Sequence, residues 1–399
     1  MSYYQLPKIN YTIKSKNIRL TFGNNKEKKI INKSLGEYLN AVKQEINKFI
    51  PQWDDAKKIT NPYEYIHSNI PHYNMSISKM KPISRSFFKI IEICNIFHLF
   101  DNFKTSPLKS YHLAEGPGGF IEAFTYMRKN PRDIYYGMTL IDDTNNKVPG
   151  WKKTDKFLSK NKNVIIDYGK TKTGNLYHPD NLKYCFKKYR NSIDIITADG
   201  GFDFSLDFNK QESMVLRLLL SEIAFALAIQ KQGGHFILKV FDIFLQSTVE
   251  LIYLLSCFYE RVYIIKPHTS RHANSEKYII CKKFKFSNTT EITEKFISVF
   301  HVLDKLDFQK YSISSIINVP IQYYYILMLT EINAIFGQQQ IENIIRTMTL
   351  IEQNNIRRDY MAQHKSSNIQ KCIQWCLKNK VPYNKNISPK NIFLGTTTQ

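Results

Sequence analysis

The spacing of apolar residues changes period several times along this chain. Over 34–50, Leu35, Tyr38, Leu39, Val42, Ile46 and Phe49 recur at helical spacing and predict an amphipathic helix that Pro51 would stop. From residue 81 the pattern alternates. Helical runs over 84–100, 120–129, 211–231 and 246–259 are interleaved with short apolar runs over 111–115, 135–141, 164–169, 194–200, 235–241, 261–266 and 277–284. Short apolar strands between helices predict an α/β domain with a largely parallel sheet. The last two runs flank a short polar stretch, which predicts an antiparallel end to that sheet. Residues 287–399 read as mostly helical, with an Asn-, Pro- and Thr-rich tail from Lys378. The chain thus divides into an N-terminal extension (1–80), a central domain (81–286) and a helical C-terminal module (287–399).

Composition narrows the class. With 399 residues, 43% hydrophobic and 23% charged, the chain can bury a large core. Arg217, Glu222 and Glu250 interrupt the most apolar stretches, leaving no clean run long enough for a membrane span. The first residues, MSYYQLPKINYTIK, lack the apolar segment of a secretory signal. Together these predict an intracellular, non-secreted protein with no membrane partner. Six cysteines are too sparse for a disulfide framework. Cys372 and Cys376 lie four apart without a second Cys or His pair to complete a zinc site, and Trp375 between them suggests an apolar helix face. No metal is expected.

Charge adds a candidate partner. The net charge is +22, and residues 81–286 alone carry 31 Lys+Arg against 20 Asp+Glu. Such a surface attracts polyanions, nucleic acid being the commonest, and abundant Tyr and Phe offer rings for base stacking. The alternative is a compositional bias toward Lys, Ile, Asn and Tyr.

The candidate chemistry lies at strand ends. Glu115-Gly116-Pro117-Gly118-Gly119-Phe120 joins a predicted strand to a predicted helix. It lacks the spacing of dinucleotide and P-loop motifs. An acid followed by G-x-G-G suits a ligand with an amino-acid part and an adenosine but no pyrophosphate, as in S-adenosylmethionine; a plain tight turn is the alternative. Asp199 falls at a strand's carboxyl end, where open α/β sheets place ligands. Lys239 sits inside the apolar run FILKVF, either snorkelling or held for chemistry. Lys89 and Glu276 taken alone would be a solvated helix lysine and an exposed strand-end acid. Taken together, two lysines and two acids form an acid–base unit: burial and a second ammonium would lower the pKa of Lys239 and let it take a proton from a ribose 2′-hydroxyl.

The series KPISRSFFK, LAEGPGGF, GMTLI, TADGGF, GGHFILKVFD and KPHTSRHANSEKYIIC resembles the FtsJ/RrmJ-type ribose 2′-O-methyltransferases, and within them the cap-specific mRNA enzymes of eukaryotes and large DNA viruses. The resemblance covers about 81–286. It implies a Rossmann-like methyltransferase sheet of about seven strands and S-adenosyl-L-methionine as cofactor. It also implies a K-D-K-E tetrad of Lys89, Asp199, Lys239 and Glu276. Cofactor contacts would fall on Glu115, Gly116, Pro117, Gly118, Gly119, Phe120, Asn175 and Leu176. Asn175 stands where the family often has an acid, and its amide oxygen would accept from the adenine amine. Asp142 reads equally as a contact to the ligand ribose or as an ordinary strand-end acid. RNA contacts would fall on Asn209, Gln211, Arg271 and Asn274, with Arg271 suited to a phosphate. The implied partner is capped mRNA, together with other capping or transcription components, in the cytoplasm or nucleus. The residue bias would suit an AT-rich genome such as that of a large virus. The same chemistry on rRNA or tRNA, and a silent RNA-binding subunit of the same fold, are the alternatives.

Overall fold

A computed structural model describes residues 3–24, 29–71, 73–142, 144–145, 148–201, 211–352 and 358–387. The chain opens with β1 (Tyr3–Gln5), β2 (Ile18–Asn24), α1 (Lys33–Glu45) and α2 (Ile50–Thr60). The helix expected over 34–50 ends at Glu45 and passes through a single 3-10 turn, Ile46–Phe49. Pro51 starts the next helix instead of ending the first. A first-turn N–H has no partner inside its helix, so its loss costs nothing there.

The central region runs α3 (Ser86–Phe97), β3 (Lys109–Leu113), α4 (Gly119–Arg128), β4 (Ile134–Met138), α5 (Asp155–Lys160), β5 (Val164–Ile166), α6 (Pro179–Tyr189), β6 (Ile193–Ala198), α7 (Gln211–Ile229), β7 (Gln230–Val240), α8 (Gln246–Phe258), β8 (Tyr259–Ile265) and β9 (Lys277–Phe284). Its sheet is ordered β1-β8-β9-β7-β6-β3-β4-β5. Strands β3 to β7 are mutually parallel, while β9 pairs antiparallel with β7 and β8, as the sequence predicts. The sheet is Rossmann-like but has eight strands, because β1 adds to β8 through Tyr3↔Ile265 to Gln5↔Tyr263. Three residues are too few to show alternation. From β3 the chain winds outward through β4 and β5, then returns to lay β6 and β7 on the other side. The switch point between β3 and β6 is where such sheets form their ligand crevice.

Every residue of β6 is buried, as expected for a parallel strand covered on both faces. Helix α7 is buried nearly all round because it lies between the sheet and α6, α8 and α9 (Thr290–Asp304). The C-terminal part continues with β10 (Tyr311–Ile317), α10 (Tyr323–Glu352) and α11 (Arg358–Lys378). It is not helical throughout: β10 pairs antiparallel with β2. Buried Glu250 on α8 ties this ribbon down, accepting from Ser315 Oγ and from the N–H groups of Ile316 and Ile317. Helix α10 packs on α1 and α2. Helix α11 packs buried Cys372, Trp375 and Cys376 into the cluster that holds Phe88, with the Trp375 and Phe88 rings edge to face at 5.9 Å. Among the described residues, no helix is long and apolar enough to cross a membrane.

Candidate active site

Four elements bring the proposed tetrad together as two ion pairs. Asp199 follows β6, and Lys239 is the penultimate residue of β7. Because Ala198 pairs with Leu238, Asp199 and Lys239, the next residue in each case, stand side by side at the carboxyl ends of β6 and β7. The Lys239 ammonium donates to the Asp199 carbonyl at 2.6 Å and lies 3.3 Å from its Oδ1. Tyr278, opposite Lys239 in the β7–β9 register, donates its hydroxyl to the same Oδ1 at 2.9 Å. Glu276 stands immediately before β9, and both its carboxylate oxygens lie 2.8 Å from Lys89 Nζ. Lys89 is buried on α3, not solvated.

The electrostatics correct one expectation. Burial alone would push the Lys239 ammonium down, but the carboxylates of Asp199, Glu276 and Glu222 outweigh it and hold it above the usual lysine range. Desolvation likewise opposes the Glu276 charge, yet Lys89 and Lys239 hold its carboxyl well below the usual range. The lysine that does fall is Lys266, lowered to about 7 by burial and by the neighbouring Lys277 ammonium. Its Nζ lies against neutral oxygens, the Asn274 carbonyl at 2.5 Å and the Glu276 carbonyl at 2.9 Å.

Sequence reasoning missed Glu222 and Tyr278. Glu222 is a buried α7 carboxylate that accepts the Gly200 N–H at 3.2 Å, and burial raises it to about 8. The available signal is an acid inside an otherwise apolar helix, which in sequence alone is only an interruption of the apolar run. Tyr278 carried no signal, because strand tyrosines are ordinary core residues.

Around the glycine loop, Glu115 is buried and accepts the Phe120 N–H through Oε1. Its Oε2 has no hydrogen-bond partner among the described residues, and burial raises the carboxyl well above its usual range. A buried carboxylate oxygen without a donor calls for a cation or N–H group. The ammonium of an amino-acid ligand is such a group, so these residues fit S-adenosylmethionine. The glycines themselves answer to protein neighbours: a Cβ on Gly116 would meet the Gly150 carbonyl at 2.5 Å, and Gly118 has φ +105°. Leu176 is buried, whereas the Asn175 amide oxygen already accepts the Tyr177 N–H at 2.9 Å. Asp142 closes its own turn, accepting from Thr144 N at 3.0 Å and Thr144 Oγ1 at 2.6 Å.

The RNA-contact candidates divide. Asn209 lies outside the described residues. Gln211 opens α7 and accepts from Ser275 Oγ at 2.7 Å, which ties α7 to the segment leading into Glu276. Asn274 is exposed and held by Lys266. Arg271 is not a free phosphate ligand: its Nε and Nη2 donate at 3.0 and 2.7 Å to the fully buried Glu64. Desolvation would raise the Glu64 carboxyl, but Arg271 and Arg85 hold it far below its usual range. The pair fastens the 266–276 segment to the N-terminal extension.

The FtsJ-like methyltransferase model matches residues 82–284. The human cap-specific mRNA (nucleoside-2′-O-)-methyltransferase 1 is 33% identical over 256 residues, covering 58% of this chain and 28% of that protein. The Drosophila melanogaster cap-specific mRNA (nucleoside-2′-O-)-methyltransferase 2 is 29% identical over 265 residues, covering 63% and 36%. The chain therefore spans about a third of the length of these relatives. Among solved structures, human methyltransferase-like protein 13 in complex with SAH aligns with 56% of this chain and 94% of its own, at 13% identity and a TM-score of 0.35.

Proposed function

Because the chain belongs to the FtsJ-like methyltransferase family, which is S-adenosylmethionine-dependent, we infer that it methylates the ribose 2′-hydroxyl of the first transcribed nucleotide of capped mRNA. The observation that carries this reading is the Lys239 ammonium at the mouth of the β3–β6 switch point, tethered by Asp199 and set beside the Lys89–Glu276 pair. S-adenosylmethionine supplies a methyl group already activated on a cationic sulfur. The protein's own work is therefore positioning and proton removal. Lys239 Nζ accepts the hydroxyl proton as the ribose oxygen takes the methyl group. In the free protein carboxylates hold that amine protonated, so it must first lose a proton, and a positive charge introduced beside it favours the loss. Asp199 and Tyr278 fix where the amine stands, and Lys89 and Glu276 are the opposite wall. The cap preference rests on the cap-specific relatives and on the SRHANSEKY run that ends at the Glu276 strand.

Labelled S-adenosylmethionine, matched capped and uncapped RNAs, and nuclease mapping of the methylated nucleotide test the assignment. The expected result is label on the first transcribed ribose only when the cap is present. Replacing Lys239 with Ala should abolish it, with cofactor binding retained. Label inside structured RNA irrespective of the cap would move the substrate to rRNA or tRNA. Cofactor and RNA binding without any label would indicate a silent subunit.

A further inference from the structure

Away from the tetrad, the junction of α2, α10 and α11 holds a recess of about 210 Å³ lined by Thr60, Arg346, His364, Ser367, Asn368 and Lys371. That is room for several waters or for a phosphate with its ester groups. Among the described residues, its charged and titratable lining is all cationic or basic; Pro62 completes the wall and no described carboxylate takes part. The Arg346 guanidinium leans on the His364 ring, with Nη2 3.0 Å from Nε2. Among the described residues, neither Arg346 nor Lys371 is ion-paired. This distinguishes Arg346 from the arginines built into the fold nearby, because Arg85 and Arg271 both meet Glu64 and Arg128 meets Asp133. Asn368 spends its amide N–H on the Ile59 carbonyl and thereby stands fixed in the wall.

The recess is also placed on a path from the tetrad. Pro62 precedes by two residues the Glu64 that clamps Arg271, and the Lys371 charge reaches His272 beside it. The 266–276 segment then runs directly into Glu276. On its other side α11 buries Trp375 against Phe88, the neighbour of Lys89 on α3. Helix α11 thus runs from the recess to the wall that holds Lys89.

We propose that this recess binds a backbone phosphate of the RNA strand outside the catalytic cleft, with Arg346 and Lys371 as the charged ligands and Ser367 as a hydroxyl donor. An Arg fork, an ammonium and a hydroxyl converging without an acid are the complement of a phosphodiester. The site rests on the RNA reading for its ligand. It gives the C-terminal helices a substrate role: a strand held here and at Lys239 would be gripped at two points, so affinity would rise stepwise once the RNA is long enough to span both.

The test is fluorescence anisotropy on the full chain with labelled single-stranded RNAs of increasing length, over a salt series, comparing wild type with the double variant Arg346→Gln, Lys371→Gln. Both side chains are exposed, and a thermal melt checks that the variant keeps its fold. The expected result is loss of the length-dependent step, with the slope of log K against log salt shallower by about 0.7 for each removed phosphate contact. An unchanged slope and an unchanged step in the folded variant would overturn the site. A second arm titrates inorganic pyrophosphate and a mononucleotide against bound RNA. Tight competition by either, with no length-dependent step in the wild type, would reassign the recess to a small phosphate ligand and defeat the strand proposal. Binding readouts separate this from the catalytic reading: wild-type protein showing the step but no methyl transfer would sink the function and leave the site standing.

Discussion

At the scale of single residues, the proposed reaction turns on the protonation of Lys239. Three carboxylates keep its ammonium above the ordinary lysine range in the free protein, although it is buried. A general base must be neutral, so methyl transfer should rise with pH, and kcat/KM reports the free-enzyme group. Substituting Asp199→Asn removes one of the charges that hold the proton. The rising limb of the kcat/KM profile should then move to lower pH, even as the rate falls because the amine loses the charged part of its tether. A limb that stays in place would show that Lys239 is not the titrating group. The four residues proposed as the tetrad were singled out through the family resemblance, and the fold brings them together as two ion pairs. The direction of the Lys239 shift was not legible in the sequence, since it depends on how many carboxylates and ammoniums converge in space. Expecting the second lysine to lower it ignored Glu222, twenty-three residues from Asp199 in sequence, and the salt bridge that already occupies Lys89.

At the scale of elements, long-range anchors matter more than local pattern. Strand β10 buries Ile313, Ile316 and Ile317 in the main core and is tied there by a buried carboxylate, Glu250, which accepts from two consecutive backbone N–H groups and a serine hydroxyl. Substituting Glu250→Ala would leave the Ile316 and Ile317 N–H groups buried without that partner, at a cost of about 1–3 kcal/mol for each group left unpaired. Hydrogen exchange should show residues 311–317 losing protection before the central strands do. Uniform loss across the sheet would mean that the ribbon is not a separate cooperative unit. The alternating helices and strands of the central region followed from periodicity alone. The β2–β10 pairing did not, because its partners lie almost three hundred residues apart and neither strand carries a turn signal pointing to the other. Pro51 shows the same limit: its ring forbids a helix interior but suits a helix start, and only the chain's path chose between them.

At the scale of the whole molecule, a net charge of +22 should make RNA binding steeply salt-dependent. Each neutralised phosphate of a single strand contributes about −0.7 to the slope of log K against log salt. Cofactor binding, proposed to rest on the buried Glu115 and its loop, should change little over the same range. Titrations of RNA and of S-adenosylmethionine from 50 mM to 200 mM salt, concentrations chosen because roughly this span separates strong from weak backbone binding, check it. Equal sensitivities would remove the case for a basic groove. What the sequence determined by itself was the α/β class, the largely parallel sheet with its antiparallel end, and the kinds of residue at the strand ends, because hydrophobic period and short motifs are local properties of a chain. What only the tertiary structure decided was which charges meet. Arg271 is bound to Glu64 and not free for phosphate, Arg346 and Lys371 line a recess with no acid among its described residues, and Lys239 is held protonated. Charge interactions fall off over a few ångströms in space and take no account of separation along the chain, so no local reading of the residues contains them.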